Sequence, residues 1–333
     1  MLIELMTPMN RRAFVTGLGA VLAAPRTGGA EQGDKIRRVG FLVSSTRSSP
    51  SIQIEPFKQS LRERGWIEGQ NLTSVYRYAD GHYERLPTLA RELVNLGVDV
   101  IVTDGTPPTR AAMQVTKTVP IVMATTGDPV AMGLVSGLAR PGGNVTGASF
   151  FVSEINAKRL ELLKDAVPQI ARVAVVYNPL NPIDEHSVVA IEVTAKVQHV
   201  RIERLAVRAA ADFEAVLPVL TRQRVDAVMV VEDPMIQSQS LRVVEAALRG
   251  RVPAVFGLSS LVAAGGFMSY APNRPDLWRR EALLTDKILR GAKPGDLPIE
   301  RPTKFELVIN LQTAKALGLT IPSHPRCCCA RIR

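Results

Sequence analysis

The stretch VDVIVTDGTPPTRAA, residues 98–112, carries the unit on which the fold turns. Its first half, Val98–Thr103, is short, rich in Val and Ile, and apolar at successive positions. Such a run suits a strand buried on both faces, as in a parallel sheet. It breaks into Asp104-Gly105-Thr106-Pro107, a polar turn ending in a proline that fits the first position of a helix. Working outward, Val39–Val43, Pro120–Ala124, Val173–Tyr177, Ala227–Val231 and Ala254–Phe256 are runs of the same kind. Between them lie stretches with helical period. Pro56–Arg64 spaces Phe57, Leu61 and Arg64 by three and four residues and ends at Gly65. His82–Leu96 aligns Leu86, Leu89, Leu93 and Leu96; Ser153–Val167 aligns Leu160, Leu163 and Val167; Pro275–Leu289 carries Leu277, Leu284 and Ile288. This βαβα rhythm implies α/β layers. Val145–Ser153 divides it near the middle, so two doubly wound, Rossmann-like lobes with parallel sheets are expected, joined by short connections.

The ends differ from this body. Arg11-Arg12 precedes an uncharged run, Ala13–Ala24, followed by the small residues Gly28, Gly29 and Ala30. A basic start, a short apolar core and small residues beyond describe an export signal, with cleavage expected near Ala30. The run is too short for a bilayer, which takes roughly 20 apolar residues. The paired arginines before Phe14 resemble a twin-arginine signal. Gly17-x-Gly19 lacks a third glycine and follows no strand, so it is no dinucleotide fingerprint. The chain has 41 basic and 31 acidic residues, net +10. Removing residues 1–30 takes away three arginines and one acid, leaving net +8. No run of five like charges occurs, so a nucleic-acid surface is not expected. Cysteine is confined to Cys327-Cys328-Cys329, a spacing that makes neither a tetrahedral metal site nor a disulfide framework.

Ligands of open parallel sheets sit beyond the carboxyl ends of the strands. Those ends carry Ser44-Ser45-Thr46, Asp104-Gly105-Thr106, Thr125-Thr126-Gly127-Asp128, Asn178 and Glu232-Asp233. Thr106, Asp128, Asn178 and Asp233 each stand directly before Pro, the pattern of helix capping. Capping is compatible with binding, because helix starts aimed into a cleft favour a carboxylate. Asp128 and Asp233 would then hold an ammonium group, and the expected ligand is a zwitterion of amino-acid type. An enzyme is not expected. The four histidines show no HxH or HExxH spacing, no GxSxG elbow occurs, and Thr106-Pro107-Pro108 stands where a Walker lysine would be needed. Neither a cofactor nor a metal is implied. A repressor of similar core would carry an N-terminal helix-turn-helix, and no such unit fits here.

Several segments resemble one family closely. They include VGFLVSS, YADGHYERLPTLARELV, RVAVVYNP, GGFMSYAPN and DKILRGAKPGDLP. The most specific are GDPVAMGLVSGLARPGGNVTG (Gly127–Gly147) and PTKFELVINLQTAKALGL (Pro302–Leu319). Over about Arg38 to Pro322 the chain resembles the ABC transporter substrate-binding proteins of the tryptophan/tyrosine type. The resemblance implies a type I periplasmic-binding-protein architecture with three crossovers and a ligand between the lobes. It implies lobe 1 at 36–148 plus 272–295, and lobe 2 at 149–271 plus 296–322. It carries the expected ligand contacts to Ser44, Ser45, Thr106, Thr125, Asp128, Asn178 and Asp233, with Tyr270 near the hinge. The implied partners are a small-molecule ligand and an ABC permease in the inner membrane. The mature chain is expected to be a periplasmic monomer without a bilayer-spanning segment. A receptor ectodomain feeding a signalling partner is the alternative. One departure stands out: residues 323–333, SHPRCCCARIR, replace the family's usual Leu-Leu-Leu-Arg-Ala-Asp ending. Leucine codons CTG read one base later give cysteine, so a frameshift at or just after Pro322 is the expected origin of this tail.

Overall fold

The computed structural model describes residues 36–47, 54–149, 152–222, 225–321 and 330–332. The segment expected to be an export signal, the cysteine triplet and most of the atypical tail lie outside the described residues. The first lobe opens with β1 (Arg37–Val43), α1 (Ile54–Arg62), β2 (Leu72–Tyr78), α2 (Leu86–Asn95) and β3 (Val100–Thr103). It continues through α3 (Thr106–Val115), β4 (Ile121–Thr126) and β5 (Val145–Ser149). Its sheet is wholly parallel, in the order β2-β1-β3-β4-β5. Successive residues along the central strands feed opposite faces. Val39, Phe41, Val43, Val100 and Val102 join one core, while Leu42 and Ile101 join the other. Both faces are covered by buried apolar side chains, so the pattern reads as a continuous apolar run rather than an alternation.

The second lobe contains α4 (Val152–Ala166), β6 (Arg172–Tyr177), α5 (Pro182–Val197), β7 (Arg201–Ala206), α6 (Phe213–Thr221) and β8 (Ala227–Val230). It goes on with α7 (Pro234–Gly250), β9 (Ala254–Phe256), α8 (Ser259–Ala263) and β10 (Met268–Pro272). The chain then leaves for α9 (Arg274–Leu289) and comes back as β11 (Phe305–Ile309), α10 (Leu311–Ala316) and β12 (Ala330–Ile332). The sheet order is β12-β11-β10-β9-β8-β6-β7. It is parallel except where β11 runs antiparallel to β10. That reversal follows from the excursion to the other lobe: the chain crosses out from one end of β10 and re-enters beside it.

α9 belongs to the first lobe by its packing. Trp278 is 1% exposed and meets Phe57 edge to face at 6.2 Å, with Leu284, Ile288 and Leu289 in the same core. Trp66 donates its indole N–H to Asp286 at 2.7 Å. Each such buried apolar side chain contributes about 1.5–3 kcal/mol. After α9 the chain stays with the first sheet to Glu300. Thr146 Oγ1 donates to the Leu297 carbonyl at 2.8 Å, and Glu300 exchanges backbone bonds with Gly147 (2.9 Å) and Ser149 (3.0 Å). Residues 297–300 thus extend the edge at β5.

Candidate functional site

The carboxyl ends of both sheets face one cleft, and helix starts converge on it. α3 opens at Thr106 with Pro107 in its first turn, α5 opens after Asn181, and α7 opens after Asp233. α4 begins at Val152, and α9 begins at Arg274 behind the N-cap Asn273. Each contributes to the wall of a cavity of about 30 Å³. By that measure a single water needs roughly 10–15 Å³, so the space left between the two walls is small.

Arg274 is the cation of this wall. It is 9% exposed, and no hydrogen bond or ion pair holds it among the described residues. Burial pulls its pKa below the ordinary arginine value, opposed by the charges of Glu232 and Asp104. A guanidinium remains charged nonetheless and presents five N–H donors. Asp104 lies across from it on the β3–α3 turn. Its Oδ1 accepts from the Ser44 amide at 2.8 Å, and burial pushes its pKa up to about 6. Two further wall atoms lack partners: the Thr106 hydroxyl and the Asn181 Oδ1. The wall thus offers donors on Arg274 and Thr106, and acceptors on Asp104 and Asn181.

Glu232 shares the wall but is already engaged. Arg159 of α4, 0% exposed, grips it through two guanidinium nitrogens at 2.6 and 2.5 Å. The same guanidinium donates to the Tyr270 carbonyl and to Asn156 Oδ1, both at 2.7 Å. One arginine therefore fastens α4, the end of β8 and the crossover strand β10 together.

Contacts also run directly between the lobes. Tyr83, in a short turn before α2, donates its hydroxyl to Asp233 Oδ2 at 2.5 Å. Asp233 Oδ2 also accepts from Asn181 at 3.1 Å, and its Oδ1 caps α7 through the amides of Met235 (2.9 Å) and Ile236 (3.1 Å). Burial, and then the carboxylate of Asp233, hold the Tyr83 phenol well above its usual pKa. Burial also raises Asp233 itself, and burial with the charge of Asp233 raises its neighbour Asp184. Ile183 of α5 fits against Gly127 of the first lobe so tightly that a Cβ on that glycine would stand 2.1 Å from Ile183 Cγ1.

Of the residues expected from sequence, Thr106 lines the cavity, and Ser44 and Ser45 are buried at the end of β1 with unpartnered hydroxyls beside Asp104. Thr125 lies on β4. Asp128 caps its own turn, with Oδ1 accepting from the Val130 and Ala131 amides at 3.0 Å. Asn178 accepts from the Leu180 amide at 2.9 Å and is buried near Asp233. The Tyr270 ring stacks on Phe305 at 5.6 Å, and its carbonyl accepts from Arg159. Asp128 and Asp233 thus bind backbone amides, Tyr83 and Asn181, while the carboxylates on the cavity wall are Asp104 and Glu232. Sequence reasoning missed Arg274 and Asn181. The signal was there for Arg274: Asn273-Arg274-Pro275 repeats the polar residue and proline of the other helix starts.

Among the described residues no group of three or more His, Cys, Asp or Glu is arranged to hold a metal, and no helix is long and apolar enough to cross a membrane. The sequence model of the family described as ABC transporter substrate binding protein matches residues 43–325. A relative, the tyrosine-binding protein of Clostridioides difficile strain R20291, is 27% identical over 288 residues, covering 86% of this chain and 83% of its own length. Among solved structures, the domain in complex with L-Trp from Streptococcus pneumonia aligns with a TM-score of 0.78 at 27% identity, over 85% of this chain and 96% of that one. The ligand-free, open structure of a substrate binding protein with adhesive properties from Clostridium difficile aligns at 0.64 and 25% identity, over 89% and 99%.

Proposed function

This chain belongs to the ABC transporter substrate binding protein family, and from that premise we propose that it is the extracytoplasmic solute-binding component of an ABC importer, taking up an amino-acid-type molecule between its lobes and handing it to the inner-membrane permease. The observation that carries the ligand reading is the buried Arg274 without a protein partner, set among helix starts. A carboxylate supplies the missing partner: it pairs with the guanidinium in two hydrogen bonds and is favoured by the positive ends of the helices. The acceptors of Asp104 and Asn181 then suit an ammonium group on the same molecule. The names of the relatives, which speak of tyrosine and L-Trp, support an amino acid of some kind. The twin-arginine-like start supports export to the periplasm. Binding works by closure: either lobe alone offers half the wall, and only the closed form presents the surface that a permease reads.

Calorimetry on the purified protein with the common amino acids and small carboxylates tests this. Heat from at least one amino acid is expected. In Arg274→Ala its affinity falls by about 2–5 kcal/mol, the cost of losing one partner of a buried charge pair. Silence across the panel, or an Arg274→Ala variant that binds as wild type, overturns the reading.

A further inference from the structure

The Tyr83–Asp233 bond joins the two lobes at a place where neither residue lines the cavity. Tyr83 is carried by the turn Tyr83–Arg85 and packs against the first lobe's core. Asp233 is 0% exposed and is fixed in the second lobe by the α7 amides and by Asn181. We propose that this bond is a closure latch. Tyr83 is a positioning residue that sets how long the cleft stays shut, and hence how long a captured solute is retained, without touching the solute.

The chain of causes is short. Opening the cleft separates the two lobes, so it must break this bond. A phenol donating to a carboxylate is stronger than a neutral pair and keeps a net advantage over the water bonds that replace it on opening. That advantage favours the closed form by roughly ten- to a hundredfold in the closed-to-open ratio. Asp233 transmits the effect to the site because it caps α7, whose first turn, Pro234 and Gln237, borders the cavity. The close fits of Ile183 on Gly127 and of Met235 on Gly81 bring the same surfaces together, but they are apolar contacts that give way gradually. The latch is the directional element among them.

Tyr83→Phe removes only the donor and keeps the ring in its core. Small-angle X-ray scattering on the full chain, dialysed exhaustively and with no solute added, is the readout. Wild type is expected to match the closed arrangement, and Tyr83→Phe to show a larger radius of gyration with unchanged circular dichroism. Asp233→Asn keeps one oxygen for the α7 amides but puts an N–H donor where Tyr83 and Asn181 now donate, so it is expected to open the cleft as Tyr83→Phe does. If Tyr83→Phe misfolds, Asp233→Asn alone carries the test. Identical scattering from wild type and every folded variant overturns the proposal, as does a wild-type profile that already matches separated lobes. Because no ligand enters the measurement, its failure leaves the amino-acid reading untouched, and the reverse holds too.

Discussion

Replacing Arg159 by Met tests whether the second lobe is organised around one buried ion pair. The side chains of Arg159 and Glu232 are 1% and 5% exposed, so water screens neither. The substitution strands the Glu232 carboxylate and removes donors from the Tyr270 carbonyl and Asn156. Breaking a buried pair from one side costs about 3–5 kcal/mol. Set against a total stability of about 5–15 kcal/mol, that is a large share. At about 2–4 °C per kcal/mol for a chain of this order, the melting temperature drops by roughly 6–20 °C. Urea unfolding followed by circular dichroism at neutral pH gives the number directly. Adding Glu232→Leu to Arg159→Met removes the stranded charge, so the double variant should regain most of the loss, a coupling that a double-mutant cycle resolves. A single variant that loses less than about 1 kcal/mol, or a double variant whose losses simply add, would falsify the idea that this pair, rather than the apolar packing around it, fixes α4, β8 and β10.

Three other outcomes follow from the same geometry. Gly127→Ala places a Cβ in the space of Ile183, an overpacking worth about 1–3 kcal/mol against closure; affinity should fall about ten- to a hundredfold, and Gly127→Ala with Ile183→Ala should recover it, as titration calorimetry reads. Asp104, pushed up to about 6 by burial, accepts an ammonium group best when ionised, so affinity for an amino acid should rise as pH climbs through that value, and Asp104→Asn should flatten the profile. Glu281 on α9 is 0% exposed with neither carboxylate oxygen partnered, and burial raises its pKa well above the usual value. The folded chain therefore holds a proton that the unfolded chain releases near pH 4.3, so this group's contribution to stability is present below that pH and is lost as pH rises toward the folded value. Glu281→Leu should consequently be more stable than wild type at pH 7, with the gap narrowing in melts run toward pH 4.

What sequence reveals here depends on which physical constraint acts at each position. Strands buried on both faces announce themselves, because every residue must be apolar: Ala254–Phe256 and the ends of β1 and β6 fall where the runs are. The sheet edges are quieter. β2, LTSVYRY, and β7, RIERLA, are half-exposed along their length and intersperse charges with apolar residues, so no run marks them. β10 and β11 pair across a gap that includes a whole helix of the other lobe, a relation that local pattern does not encode. The same division governs the site. Thr106 and Asp233 were legible as helix starts because a helix start has a local signature, but of the two only Thr106 lines the cavity. Tyr83 was not legible, since it gains its meaning only from what the fold brings opposite it, and the helix-start pattern at Asn273-Arg274-Pro275 did not by itself show that Arg274 is buried.

The route of the chain has a consequence for how the protein is made. One face of the first sheet is covered by α1 together with α9, which supplies Trp278, Leu284 and Ile288. β5 ends at Ser149 and α9 at Leu289, 140 residues later in the sequence. At a ribosomal pace of about 5–20 residues per second, that face waits roughly 7–28 s for its cover. During this interval the nascent first lobe shows Val100, Val102 and Val122 to its surroundings and cannot complete its core. Neither lobe is a unit of synthesis: the chain must be nearly finished before either can settle, which leaves a long window in which a chaperone can hold it unfolded.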